Sequence, residues 1–131
     1  MFIKGFNHIG INTKDIERSL VFYRDMLGLE LKETIQMDDC TIYYLLLPGG
    51  ERIELFDYQG RNKSCCVEET QAGYRHIAIE VSSVDEYEAL FKENGVPIVL
   101  SATNLPKLHV RVLLFEDPNG VVIEFCELLN E

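Results

Sequence analysis

The hydrophobic and polar positions of this chain follow one order of elements twice. In each half, a segment with period-two alternation is followed by a helical pattern and then by three short segments that read as strands. The eight predicted strands are residues 2–12, 29–37, 41–47, 52–57, 74–81, 96–100, 108–115 and 121–127. The pattern therefore predicts an α+β fold in which a unit of strand, helix and three strands is used twice.

Helix signals fall at corresponding places in the two halves. The first helix is expected to begin near Lys14 and to end at Gly28, because glycine is favoured just after the last helical turn. The second is expected to begin with the capping box of Ser83–Glu86 and to end at Asn94–Gly95. A less regular loop is expected at 101–107 and is a candidate border of a cavity.

A polar stretch separates the two halves and predicts how the 131 residues are organised. Residues 58–72 are taken as a linker between module one, residues 1–57, and module two, residues 73–131. At 131 residues, the whole chain, 1–131, fits one compact domain.

The repetition extends to chemically reactive residues. His76 follows His8 by 68 residues in matching sequence, and Glu124 follows Glu54 by 70 residues. In every case the alternating neighbours are apolar, so the helix should cover the apolar face and leave the histidine and the glutamate on the opposite face. Two histidines and two glutamates brought together by such a duplication form a site for a divalent metal ion.

Composition and charge limit the classes of partner. The net charge of −10 argues against nucleic acid and anionic membranes, whose binding needs clustered lysine and arginine. The sequence contains neither a 20-residue apolar stretch nor a signal-peptide pattern, which predicts a cytoplasmic protein. The four cysteines have no C-x-x-C spacing and are expected to be reduced thiols: Cys40, Cys65, Cys66 and Cys126.

Blocks of sequence in a characteristic order resemble the vicinal oxygen chelate superfamily, which includes glyoxalase I. The blocks are the opening His8–Ile11, the helix text Ser19–Leu29 and the turn Phe115–Gly120 that leads to Ile123–Glu124. The resemblance implies paired βαβββ modules that form an eight-stranded, open, U-shaped sheet around a metal site. It places the metal ligands at His8, Glu54, His76 and Glu124.

The resemblance also implies a cofactor, an assembly and a reaction. Nickel or cobalt is the favoured ion, and zinc, manganese or iron are possible. A homodimer is expected, because the open sheet has edges that are normally covered. Two free positions on an octahedral ion would chelate neighbouring oxygens of a small-molecule substrate, and Glu54 or Glu124 would then move the proton of the adjacent carbon through an enediolate.

Two departures from glyoxalase I concern its thiol cofactor. Asn12 stands where an arginine commonly holds a glutathione carboxylate, and Tyr58 stands where an asparagine is common. A metal-dependent lyase or isomerase of glyoxalase I type is therefore predicted with a substrate other than the glutathione adduct, such as another 2-oxo or 2-hydroxy compound.

Three other functions are kept as alternatives within the same superfamily. They are an epimerase like methylmalonyl-CoA epimerase, an extradiol dioxygenase using His8, His76 and Glu124, and a ligand-binding protein without catalysis. Two further side chains are open to more than one interpretation. His109 on an alternating strand could face a cavity, and Arg111 could bind a substrate carboxylate or form a structural ion pair, the latter being favoured.

Overall fold

The computed structural model describes residues 2, 4–62 and 72–130. The chain divides into two compact units, Met1–Ser64 and Cys65–Glu131. Most of the predicted linker, together with Cys65 and Cys66, lies outside the described residues, whereas Cys40 and Cys126 are free thiols. None of the helices in the described ranges has the length and apolar character needed to cross a bilayer.

The first unit contains one four-stranded sheet and one helical segment. Its elements are β1 (His8–Thr13), α1 (Ile16–Leu20), a π-helical continuation (Val21–Met26), β2 (Glu30–Gln36), β3 (Thr41–Leu46) and β4 (Arg52–Asp57). The strand order is β1-β4-β3-β2, in which β1 is parallel to β4 and the other pairs are antiparallel. Asp15 caps α1 by accepting from the backbone amides of Glu17 and Arg18.

The second unit repeats this topology. Its elements are β5 (Ile77–Glu80), α2 (Val84–Glu93), β6 (Ile98–Leu105), a 3₁₀ turn (Pro106–Leu108), β7 (Val110–Glu116) and β8 (Val122–Leu128). The strand order is β5-β8-β7-β6, and β5 is parallel to β8. The Ser83 hydroxyl accepts from the Glu86 amide at 3.3 Å, as the capping box predicts. The predicted α+β fold of two βαβββ modules with eight strands is confirmed, and the strands form two four-stranded sheets.

Three details of the predicted elements are corrected. The expected loop at 101–107 is instead the continuation of β6 to Leu105, because antiparallel pairing with β7 extends to Val110. The first strand begins at His8 rather than at residue 2. His109 is not a strand residue but follows the 3₁₀ turn with φ of 59°, a left-handed conformation that ends the turn before β7 begins.

Each helix lies on one face of its own sheet and so fixes the other face as the open one. In module one, the buried Thr13 hydroxyl of β1 lies 2.6 Å from the Ser19 hydroxyl of α1. In module two, Tyr87 of α2 packs edge-to-face on Phe125 of β8, with ring centroids 4.7 Å apart. Because side chains alternate along a strand, the residues between these positions point away from the helices.

Candidate metal centre

His8 and Glu54 lie on the open face of the first sheet. In the parallel pairing of β1 with β4, His8 is level with Arg52, and Gly10 is level with Glu54. His8 Nδ1 and Glu54 Oε2 are 3.4 Å apart, and the side chains are 40% and 6% exposed. Ile53 and Leu55 are fully buried on the opposite face, so β4 holds the carboxylate at a defined position.

The guanidinium of Arg52 binds the same carboxylate, that of Glu54. Arg52 donates to Glu54 Oε2 from Nε at 3.1 Å and from Nη2 at 2.9 Å. Its guanidinium carbon also lies 4.5 Å from the centroid of the Tyr44 ring, which is level with Glu54 in the pairing of β3 with β4. The Asn7 amide oxygen accepts from Arg52 Nη2 at 3.2 Å and lies 2.6 Å from His8 Nδ1.

The contact with Asn7 assigns roles to the two nitrogens of His8. Because an amide oxygen only accepts hydrogen bonds, the short contact places the proton of a neutral His8 on Nδ1 and the lone pair on Nε2. Glu54 is adjacent to Nδ1. His8 therefore needs a rotated ring or the other tautomer before one of its nitrogens can bind an ion together with the carboxylate.

His76 and Glu124 form the corresponding pair of module two. His76 directly precedes β5, and Glu124 in β8 is level with Ala78 of β5. His76 Nε2 and Glu124 Oε1 are 3.4 Å apart, and each side chain is 21% exposed. Here the imidazole already presents Nε2 to the carboxylate, so no rotation of the ring is required.

The donor set matches the chemistry of a divalent transition metal. Within the described residues of either unit, no third histidine, cysteine, aspartate or glutamate joins the pair to form a cluster of three or more. Each module thus offers one imidazole nitrogen and one carboxylate, a combination suited to nickel, cobalt, zinc, manganese or iron(II). Two protein ligands leave most positions of such an ion open, so neither pair by itself is a complete site.

The comparison with family models decides the affiliation. The model for the Glyoxalase/Bleomycin resistance protein/Dioxygenase superfamily matches residues 5–125. The chain belongs to this superfamily. The resemblance inferred from the sequence blocks is confirmed, and the match includes all four predicted ligands.

Individual members of the glyoxalase superfamily are similar to this chain over nearly its whole length. Protein YwkD of Bacillus subtilis is 30% identical over 129 residues, which cover 97% of this chain and 99% of the relative. Lactoylglutathione lyase of Haemophilus influenzae is 30% identical over 125 residues, with 92% and 90% covered. The solved structure of the trypanothione-dependent glyoxalase I of Leishmania major has a TM-score of 0.77 at 27% identity and covers 95% of this chain and 87% of its own. These are distant relatives, so they identify the superfamily and not one reaction.

The structure also places the two further residues that the sequence singled out, Arg111 and His109. Arg111 donates to Asp85 at 2.8 Å and to Asn104 at 2.9 Å, which confirms the ion-pair interpretation. His109 lies at the left-handed position before β7, and the strand alternation used to place it on a cavity face does not apply. The aspartate partner of Arg111 belongs to α2, so the guanidinium is held against the helix of its module.

The two positions that depart from glyoxalase I have defined surroundings. Asn12 is an exposed residue of β1, level with Phe56 of β4. Tyr58 follows β4, and its pKa is raised, first by the neighbouring Cys40 sulfur and then by burial. The Arg61 guanidinium carbon lies 5.8 Å from the Tyr58 ring. Tyr58 is thus packed among side chains of its own module.

Sequence reasoning missed two residues of this arrangement, Arg52 and Asn7. A signal for Arg52 was present, because it precedes Glu54 by two residues and so shares its strand face. Its module-two equivalent is Val122, which precedes Glu124 by two residues. The difference between these positions shows that the duplicated pairs are chemically unlike. Alternation in the predicted strand 2–12 places Asn7 on the face opposite His8, but Asn7 lies before β1 and contacts the His8 ring.

Proposed function

We propose that this protein is a metal-dependent lyase or isomerase of glyoxalase I type. The observation that carries the proposal is the duplicated His–Glu pair, which occurs at corresponding sequence positions of the two modules, with 3.4 Å from His8 Nδ1 to Glu54 and 3.4 Å from His76 Nε2 to Glu124. Single histidines near single glutamates are common, but a matched repetition in both modules of a glyoxalase-superfamily chain is what a shared ligand set requires.

The proposed ligands are His8, Glu54, His76 and Glu124. The bound ion is proposed to be nickel or cobalt, with zinc, manganese and iron as alternatives. When bound, such an ion supplies a Lewis acid that polarises a chelated carbonyl and acidifies the neighbouring C–H bond. The two modules would each contribute half of the ligands, either within one chain or across the two subunits of a homodimer.

The chain's own residues would hold the substrate carbon and move its proton. Glu54 or Glu124 would act as the base that takes the α proton and as the acid that returns it. The residues level with the two carboxylates are small, Gly10 for Glu54 and Ala78 for Glu124. The imidazoles of His8 and His76 would remain as donors throughout.

The substrate is proposed to be a small 2-oxo or 2-hydroxy compound other than the glutathione adduct. Asn12 and Tyr58 occupy the positions where glutathione contacts are common in glyoxalase I, and neither carries a charge that would bind a carboxylate. The Leishmania relative is described as trypanothione-dependent, so a thiol other than glutathione is a precedent within the superfamily. Weak or no activity is expected with the hemithioacetal of glutathione and methylglyoxal.

The experiment that tests this function is solvent-deuterium exchange. Protein loaded with Ni²⁺ or Co²⁺ is incubated in D₂O with methylglyoxal hemithioacetals of several thiols and with 2-oxo acid derivatives. Incorporation at the α carbon is then followed by proton NMR. Wild-type protein is expected to exchange at least one compound, and Glu54→Gln or Glu124→Gln is expected to remove most of the exchange while one of the two keeps substantial metal affinity.

Glu93→Gln is the matched control, because Glu93 is an exposed residue at the end of α2. It carries the same change of charge and should exchange like wild type. If no chelating compound is exchanged by metal-loaded wild type, the proposed proton-transfer reaction is wrong. Efficient turnover of the glutathione adduct would show instead that the reaction type is right and the substrate inference from Asn12 and Tyr58 is wrong.

A further inference from the structure

Arg52 makes the two His–Glu pairs different. It lies two residues before Glu54 on the open face of the first sheet, whereas the equivalent residue of module two is the uncharged Val122. Both donating nitrogens of Arg52 contact the same carboxylate oxygen, Oε2 of Glu54, at 3.1 and 2.9 Å. A two-oxygen fork would hold the pair more tightly than this arrangement does.

The oxygen held by Arg52 is the one beside His8. Oε2 of Glu54 lies 3.4 Å from His8 Nδ1, so it is the carboxylate oxygen next to this imidazole. A guanidinium and a divalent cation repel each other and compete for the same lone pairs. Arg52 therefore competes with a metal ion for Oε2.

Arg52 has two other contacts that keep it on this face of the sheet. Its guanidinium carbon lies 4.5 Å from the centroid of the Tyr44 ring, and Nη2 donates to Asn7 at 3.2 Å. Neither contact depends on Glu54. A displaced Arg52 would thus still have partners on this face of the sheet.

We propose that Arg52 is a displaceable counter-ion of Glu54 and, once displaced, the residue that binds a carboxylate of the substrate. This inference rests on the proposed function, because it requires a metal ion at His8 and Glu54. It adds a substrate class, namely a chelating 2-oxo or 2-hydroxy compound that also carries a carboxylate. A chain with a net charge of −10 needs a local cation to hold such an anion, and Arg52 supplies it where the substrate would lie.

The first test measures metal affinity with Co²⁺ or Ni²⁺ alone, by competition with a chromogenic chelator. Arg52→Val gives module one the residue of module two and is expected to bind the ion about five- to tenfold more tightly, because a competing, partly exposed ion pair is removed. Arg111→Val is the matched control. Its side chain is also on a strand, is also paired with a carboxylate, and is 27% exposed like that of Arg52. The control should bind the ion within twofold of wild type.

The second test measures ligand preference on the Co²⁺-loaded protein through the visible absorption of cobalt. The two probes share one chelating group: acetohydroxamate is without a carboxylate and succinic monohydroxamate carries one. Wild type is expected to bind the carboxylate probe about tenfold more tightly, and Arg52→Val is expected to remove this preference without weakening acetohydroxamate. Arg52→Lys should keep part of the preference, since it retains the charge but not the planar fork.

The possible results separate this inference from the proposed function. Equal binding of the two probes by wild type, or an unchanged preference or metal affinity in Arg52→Val, overturns the role of Arg52. A preference that depends on Arg52, in a protein that exchanges no substrate proton, upholds the role of Arg52 and removes the proposed reaction. Deuterium exchange by wild type, together with an unchanged preference in Arg52→Val, upholds the proposed reaction and removes the role of Arg52. If neither wild type nor Arg52→Val retains Co²⁺ or Ni²⁺, both proposals fail.

Discussion

Gly10 of β1 lies directly across from Glu54 of β4, and a β-carbon added at Gly10 would meet the Phe56 ring at 3.2 Å. This distance is shorter than an ordinary carbon–carbon contact, so the ring has to move to accept even a methyl group. Gly10 thus leaves room for the Phe56 ring, and Phe56 is the side chain that limits what can replace Gly10.

The close contact predicts that the effect of Gly10→Ala on the free energy of unfolding changes sign when Phe56 is also replaced. Gly10→Ala should destabilise the wild-type protein, because the methyl group presses on Phe56. In a Phe56→Leu background the same change should stabilise by about 0.5 kcal/mol, since alanine reduces the freedom of the unfolded chain. Urea denaturation of the four proteins measures the coupling, and additive effects would contradict the proposed contact.

A second prediction concerns the aromatic core of module two. Phe91 of α2 is fully buried, and its ring centroid lies 4.4 Å from that of Phe115. Phe91→Ala should lower the free energy of unfolding by about 3–5 kcal/mol, because it leaves a cavity between the helix and the sheet. Phe2→Ala is the control, since Phe2 is fully exposed and its loss should change stability by less than about 0.5 kcal/mol. A loss below about 1 kcal/mol for Phe91→Ala would show that the cavity collapses or that the packing is wrong.

The order of the elements could be predicted from the sequence because the strands carry clear alternation and the helices carry local end signals. Ser83 and Gly28 are examples, the first accepting from an amide in the first turn and the second adopting a φ of 75° after the helical segment. Such signals depend on neighbours along the chain. The extent of β6 does not, because its last residues are strand only through their pairing with β7.

The candidate site shows the same division between local and long-range information. Alternation and repetition were enough to place Glu54 and Glu124 on the faces opposite the helices. The same alternation places Arg52 on the face of Glu54. It does not show the ion pair, because nothing in the sequence distinguishes a guanidinium that binds its strand neighbour from one exposed to solvent. The contact of Asn7 with His8 depends on the chain path before β1, where the alternation predicted for residues 2–12 does not hold.

A third prediction concerns alkaline pH. Burial, followed by the negative charges of Asp57 and Glu17, raises the pKa of Tyr43 above its ordinary value of 10.0. A raised pKa means that the folded state holds the phenol proton more tightly than the unfolded state does. The associated stability is present below pH 10 and is lost as the pH rises through the folded-state pKa. Tyr43→Phe should therefore weaken the alkaline fall in urea midpoint, and Tyr43 should ionise late in a titration at 295 nm; an unaltered curve for the variant would contradict this.

A fourth prediction is that the protein is a homodimer. Each four-stranded sheet has two edge strands, β1 and β2 in module one and β5 and β6 in module two. Unpaired edges are normally covered, and the proposed two-ligand half-site in each module would be completed when two halves meet. Light scattering at micromolar concentration should give twice the mass of 15.1 kDa. A strictly monomeric species that still binds stoichiometric metal would show that one chain supplies all four ligands.

The last prediction tests the ligand set through metal retention. His76 already presents Nε2 to Glu124, so its removal should take away one donor from the proposed centre. The fold should remain intact. His76→Ala is expected to lose near-stoichiometric Ni²⁺ or Co²⁺ while its circular dichroism remains that of wild type.

The control is His109→Asn, because asparagine tolerates the left-handed conformation of this position and the change removes a histidine that is not in the ligand set. Metal content is measured after loading and gel filtration, and the unfolding temperature is compared with and without metal. A wild-type protein that retains none of nickel, cobalt, zinc or manganese, or a His76→Ala variant that retains as much as His109→Asn, would contradict the four-ligand site, because removal of one of four donors should weaken binding by at least about tenfold.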